Sequence, residues 1–130
     1  MNKTYLVTAA LFGALAVAFG AFGAHGLEKI TSDEKILHAY NTAVQYQMYH
    51  ALALLAVAII FERLPLSLVK WAANFFIIGI ILFSGSLYLL TFLKTQNIAG
   101  TNIIGPITPL GGLSFIAGWV LLLTAALKKK

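Results

Sequence analysis

Cysteine is absent from the 130 residues, and charge is scarce: nine Lys and Arg with four Asp and Glu make 10% of the chain, against 60% hydrophobic residues. The first absence excludes a disulfide, a thiolate nucleophile and a cysteine-held metal. The second excludes an ordinary water-soluble domain, which carries about 25% charged residues. What charge there is comes in short clusters with long uncharged runs between them. Thr4–Leu27, Ala39–Phe61, Trp71–Leu93 and a last run that ends at Lys128 contain no Asp, Glu, Lys or Arg before that lysine. Each reaches the about 20 residues that a helix needs to cross a hydrocarbon core. The expectation is an all-α, four-helix transmembrane bundle, one integral domain over residues 1–130, with spans near 4–25, 39–62, 71–93 and 109–127.

Four spans place both termini on one side, with Lys3, Arg63, Lys70, Lys128, Lys129 and Lys130. The other side holds Lys29, Lys35 and Lys94, diluted by Glu28, Asp33 and Glu34. Because basic loops stay in the cytoplasm, the termini are expected there, with the closing lysines as a topological anchor that touches anionic headgroups. The net charge of +5 follows from the same bias. No basic cluster lies on a foldable polar surface, so nucleic acid is not an expected partner. The first apolar run, preceded by Lys3, is about twenty residues, longer than the ~7–15 of a secretory signal, and is expected to be a resident helix.

The second run is the odd one. His38–Phe61 reads HAYNTAVQYQMYHALALLAVAIIF, with Asn41, Gln45, Tyr46, Gln47, Tyr49 and His50 in its first half. Met48–Phe61 alone is too short to span, so part of the polar half must enter the membrane and find protein partners there. Thr31-Ser-Asp-Glu34 fits a capping box, which starts an extended second helix near Ser32, and Pro65 stops it. On that helix His38, Thr42, Gln45 and Tyr49 share a face that runs down to Ala53 and Ala56, while His50 lies about 120° from His38. Two polar directions point to a second protein surface, hence to a homo-oligomer.

Small residues mark the expected helix contacts: Gly13, Ala16, Gly20 and Gly23 on the first helix, Gly85 on the third, Gly111, Ser114 and Gly118 on the fourth. Ser84-Gly-Ser86 forms a counter-surface for His50 or Gln45 at matching depth. Thr95–Thr108, uncharged and with four isoleucines, fits the headgroup zone or a cover over the bundle mouth better than a re-entrant segment. Thr108 is expected to cap the last helix with Pro109 at its first position. Trp119 falls mid-span, a packing position rather than an interfacial one.

The chemistry these residues support is limited. His25, His38 and His50 form no i,i+3 or i,i+4 pair and no HExxH, and His50 lies about 18 Å along the helix from His38, so the three cannot share a metal. His25 and His38 have Glu28, Asp33 and Glu34 near them, which leaves a two-histidine outer site open, although hydrogen-bonded helix-end histidines suit them better. An imidazole in mid-membrane must be paired or lie on a wet path. No ionised residue in any span offers it a relay partner. There is no GxSxG, and Ser84 and Ser86 lack an acid partner, so no enzyme activity, no catalytic residue and no cofactor is expected.

GAFGAHGL (Gly20–Leu27), YQMYHALALL (Tyr46–Leu55), FSGSLYLL (Phe83–Leu90) and GPITPLGGLSFIAGW (Gly105–Trp119) resemble the signature stretches of the YgdD/YwdK-type family, small four-span proteins of bacterial inner membranes. The resemblance covers essentially the whole chain, with its blocks in matching order. It implies four helices in the plasma membrane and carries no activity and no catalytic residues with it. The combined expectation is a non-enzymatic membrane protein that binds a lipid, a quinone-like molecule or a protein partner through an outer-half polar cluster. That cluster is His25, His38, Gln45, Tyr49, His50, Ser84 and Ser86. The alternatives are a small transporter or channel with a His/Ser-lined path, and a metal- or haem-binding membrane protein.

Overall fold

The computed structural model describes residues 1–128; Lys129 and Lys130 of the expected lysine anchor lie outside the described residues. Four long helices account for nearly all of it: α1 (Lys3–Ile30), α2 (Glu34–Arg63), α3 (Leu66–Thr95) and α4 (Thr101–Leu127). Their lengths are 28, 30, 30 and 27 residues, so the extension expected of the second is shared by all four. At about 1.5 Å per residue each exceeds the ~30 Å hydrocarbon core and projects into the headgroups. No strand occurs among the described residues.

Two helix starts differ from the sequence expectation. Asp33, not Thr31, caps α2: its Oδ1 accepts from the Lys35 N–H at 2.9 Å, while the Thr31 hydroxyl accepts from the Asp33 N–H at 3.2 Å. Asp33 lies directly before the first helical residue, so its carboxylate reaches the orphan donors that Thr31, two residues earlier, does not. In α4 a short turn, Thr101–Ile104, precedes the long segment Ile107–Leu127, whose cap position is Pro106. Pro109 therefore sits inside the first turn, where its missing N–H is harmless. Thr108 is freed from capping and meets Ser86, with oxygens 2.6 Å apart.

α1 packs on α2, α2 on α3 and α3 on α4, which leaves α2 and α3 central and the other two on opposite flanks. The core accordingly draws on Leu54, Val57 and Ala58 of α2 and on Val69, Ala73 and Phe76 of α3, joined by Ala9 and Phe115. Val7, Leu11, Leu52, Ile59, Ile81, Leu113, Ile116 and Leu123 stand exposed around the outside. In water such a surface would be an aggregation hazard; in a bilayer it is the lipid contact.

Side-chain groups bind the helices by reaching across to backbone carbonyls. Gln47 donates to the Phe12 carbonyl at 2.9 Å, Ser84 to that of Ala43 at 2.7 Å, Ser114 to that of Phe75 at 2.8 Å, and Tyr40 to that of Phe19 at 2.5 Å. Among the described residues no buried side-chain nitrogen or oxygen lacks a partner. With no water at this depth, that is the condition for a polar group to be present at all. Two wide π turns interrupt the helices, at Gly23–Leu27 and Ile80–Ser84. Both lie at such links: Tyr40 covers Gly23, and Ser84 is the last residue of its turn.

The glycines divide into two groups. A Cβ on Gly111 would overlap the backbone of Phe83, one on Gly118 would come 2.7 Å from the Phe76 ring, and one on Gly23 2.6 Å from the Tyr40 ring. Gly20 is in ordinary contact with Val44 at 3.4 Å. Gly13 and Gly85, expected to pack, do not: nothing lies within 4 Å of the Cβ either would carry. Helical spacing puts Gly13 on the small-residue stripe, but Ala16 and Gly23 are its buried members and Gly13 is only partly covered.

Candidate functional site: a lateral aromatic groove

The buried face of α2 is Tyr40, Ala43, Gln47, His50, Ala51 and Leu54, at steps of three and four. This replaces the expected stripe of His38, Thr42, Gln45 and Tyr49, of which Gln45 and Tyr49 are exposed. Gln47, not among the site residues expected from sequence, is the polar hub: besides holding Phe12 it accepts from the Tyr88 hydroxyl at 2.6 Å, and so ties α1, α2 and α3 at one point.

On the α4 side of α2, the flanking position of α4 leaves a groove of about 880 Å³ open toward the lipid. Tyr46, Tyr49 and His50 line it from α2, Phe83 from α3, and Gly112, Leu113, Phe115 and Trp119 from α4. The rings are ordered in stacked pairs. His50 lies on Phe115 with centroids 3.6 Å apart and an 11° tilt; Tyr46 lies on Phe83 at 4.7 Å and 23°. Trp119 closes the inner rim, edge-on to Phe76 at 5.1 Å and 48% exposed.

His50 is fully committed in this arrangement. Its Nε2 is 3.1 Å from the Trp119 indole nitrogen and its Nδ1 is 2.7 Å from the Tyr46 carbonyl. An indole N–H only donates, so Nε2 accepts, and the imidazole proton sits on Nδ1 and goes to the carbonyl. The pattern defines one neutral tautomer. Trp119 does pack, as its mid-span position predicts, but its role as the partner of His50 goes beyond that expectation. The signal available in the sequence is depth, since both residues lie about 24–27 Å along their spans.

Tyr46 and Tyr49 are 39% and 55% exposed, and neither hydroxyl bonds to a described residue. They lie about 18 and 22 Å along α2, inside the hydrocarbon of a centred ~30 Å core. The other expected members of the cluster are elsewhere. Ser84 and Ser86 are buried but turned to the Ala43 carbonyl and to Thr108, so neither meets His50. His25 and His38 are exposed toward the loop end, and among the described residues no three of His, Cys, Asp or Glu gather as a metal set. The structure thus brings together Tyr49 and His50 of the expected set, and adds Tyr46, Phe83, Phe115 and Trp119.

A family model described as "Protein of unknown function (DUF423)" matches residues 19–112. The chain is 44% identical to the UPF0382 membrane protein YwdK of Bacillus subtilis over 97% of its own length and 98% of that protein. It belongs to the UPF0382 family. The UPF0382 inner membrane protein YgdD of Escherichia coli is 38% identical, with 99% of this chain and 93% of the relative covered. A UPF0382 membrane protein of Haemophilus influenzae is 43% identical over all of this chain and 98% of its own. No solved structure matches. This UPF0382 member is therefore a multi-pass protein of the bacterial inner membrane, of a family whose function is unknown, and the aromatic groove opens on its bilayer-facing side.

Proposed function

We propose that this UPF0382 protein is non-enzymatic and holds a membrane-dissolved amphiphile, a lipid or quinone-like molecule, in the groove between α2 and α4. One observation carries the reading: the Tyr46 and Tyr49 hydroxyls stand without a protein partner at hydrocarbon depth, on the wall of that groove. A hydroxyl left unpaired in hydrocarbon costs several kcal/mol on apolar-transfer scales, a cost that a bound polar head removes. The buried polar side chains at this depth on α2 and α3 have partners in the chain, and exposed Gln45 does not line the groove, so Tyr46 and Tyr49 mark where a ligand in it would find polar groups to pair. The non-enzymatic part rests on His50, whose two nitrogens are engaged, with no carboxylate among the described residues that line the groove with it. The termini lie in the cytoplasm by the lysine bias, which puts Tyr46 in the outer half of the bilayer.

Native mass spectrometry of protein released from gently extracted membranes tests this directly. The expected spectrum shows a constant extra mass that Gly112→Leu removes. Gly112 lines the groove, and a Cβ there meets only the Phe83 ring at 3.9 Å, so leucine fills the space without disturbing the helices. A spectrum of bare protein, or one unchanged by Gly112→Leu, contradicts the reading.

Self-association is supported by a different feature. Ala10, Gly13, Ala14 and Val17 present a small-residue face to the lipid beside a shallow groove of about 300 Å³. A Cβ on Gly13 meets nothing within 4 Å among the described residues, and the groove beside it leaves room for the rest of a leucine in Gly13→Leu. This substitution is expected to leave the melting temperature within about 2 °C, as a surface change does, and to abolish any cross-linked dimer seen in native membranes. A dimer that persists places the interface elsewhere.

A further inference from the structure

The groove's polar floor is asymmetric in hydrogen-bond sense. The one N–H of neutral His50 is tied to the Tyr46 carbonyl within the same helix, and the ring is clamped on Phe115, so it cannot turn to present that proton. What faces the groove is the Nε2 lone pair, and a donor occupies it, the Trp119 indole N–H. The two partners are unequally held. His50 is 5% exposed, whereas Trp119 is 48% exposed at the rim, so of the two it is the partner with open space beside it. Only a group that brings its own hydrogen can take the place of that indole.

Resting on the groove reading above, we infer that the site selects a ring hydroxyl: a phenol or hydroquinone head on an apolar tail, its O–H donated to His50 Nε2 as Trp119 swings aside. A quinone carbonyl or an ether oxygen in the same place would set lone pair against lone pair, and Trp119 would keep its position. A flat ring is favoured over an alkyl chain because the walls are aromatic pairs, Tyr46 on Phe83 and His50 on Phe115, whose free faces and edges attract another ring. The Tyr46 and Tyr49 hydroxyls both donate and accept, so they bind a second ring substituent without choosing its sense.

The test uses redox-inert probes: 4-octylphenol, its O-methyl ether, and an aliphatic alcohol of equal length. Binding is titrated in nanodiscs against empty discs. Trp71→Phe leaves Trp119 as the sole tryptophan of the chain's two, and its emission reports loss of the indole hydrogen bond. Phenol is expected to bind more tightly than its ether and to shift Trp119 emission, and the preference should approach about tenfold, the equivalent of one neutral hydrogen bond, where no indole bond is given up in exchange. His50→Phe keeps the stacked ring and should erase the preference. Trp119→Phe, which removes the competing donor, should strengthen phenol binding above wild type. Should His50→Phe not fold, the Trp119→Phe result carries the test. Equal binding of phenol and ether overturns the hydroxyl inference and leaves the groove reading intact; equal binding of the aliphatic alcohol overturns the choice of a ring. If no probe binds and native mass spectrometry shows bare protein, the groove reading falls and the inference with it.

Discussion

Gly111→Ala is expected to destabilise the protein by about 3 kcal/mol, the upper end of the overpacking range. The reason is what the new methyl group meets. At most close glycines the neighbour is the end of a ring that can tilt away; at Gly111 it is the main chain of Phe83, within the π turn of α3. Backbone cannot move locally without separating α3 from α4, and that interface holds Phe115, Phe76 and the Ser114 link to the Phe75 carbonyl. The adjacent Gly112→Ala is the control. Its methyl meets only the Phe83 ring at 3.9 Å, and alanine is the better helix former by about 1 kcal/mol, so stability should stay level or rise slightly. Unfolding in mixed micelles followed by circular dichroism distinguishes the pair. Equal stabilities would mean that α3 and α4 do not approach as closely as described.

Gln47→Leu should cost about 2 kcal/mol, and the double variant with Tyr88→Phe should cost less than the single. Gln47 is 2% exposed and bonds at both ends, to the Phe12 carbonyl and from the Tyr88 hydroxyl. Leucine of similar size leaves that hydroxyl unpaired at membrane depth, which carries a penalty of about 1–3 kcal/mol. Removing the hydroxyl as well exchanges a broken polar link for an apolar contact, which is often nearly neutral. A strictly additive double variant would show that the two side chains are not coupled. The position matters because α1 reaches the centre of the bundle through this glutamine, supported by the Tyr40 and Tyr5 hydroxyls nearer its ends.

The spans are legible in the sequence because their signal is an absence: where no ionised residue occurs for twenty positions, the bilayer decides the structure. The need for polar pairing along α2 is legible for the same reason. Which polar residue faces which helix is not. Depth alone pairs Ser84 with His50, but the π turn at Ile80–Ser84 inserts a residue and rotates the remainder of α3 by about 100°, a change invisible to a 3.6-residue period. The preference for Gln45 over Gln47 has a different cause. Both faces of α2 carry polar groups, and the run of histidine, glutamine and tyrosine outweighs the alanines at 43, 51 and 58, which mark the buried side. Trp119 illustrates the remaining gap: matched depth allows its pairing with His50, but rotation and tilt of distant helices, which select the pair, are not readable from residue spacing.

The groove is the centre of the account, and its occupancy can be read in living cells. A photo-cross-linking amino acid in place of Leu113, which lines the groove, is compared with the same group in place of Leu123, which is exposed on α4 but does not line it. After illumination and extraction, the Leu113 position is predicted to give one discrete small-molecule adduct, and the Leu123 position the mixture of bulk phospholipids. The same phospholipid mixture at both positions would contradict the account, because the groove would then be ordinary lipid-facing surface.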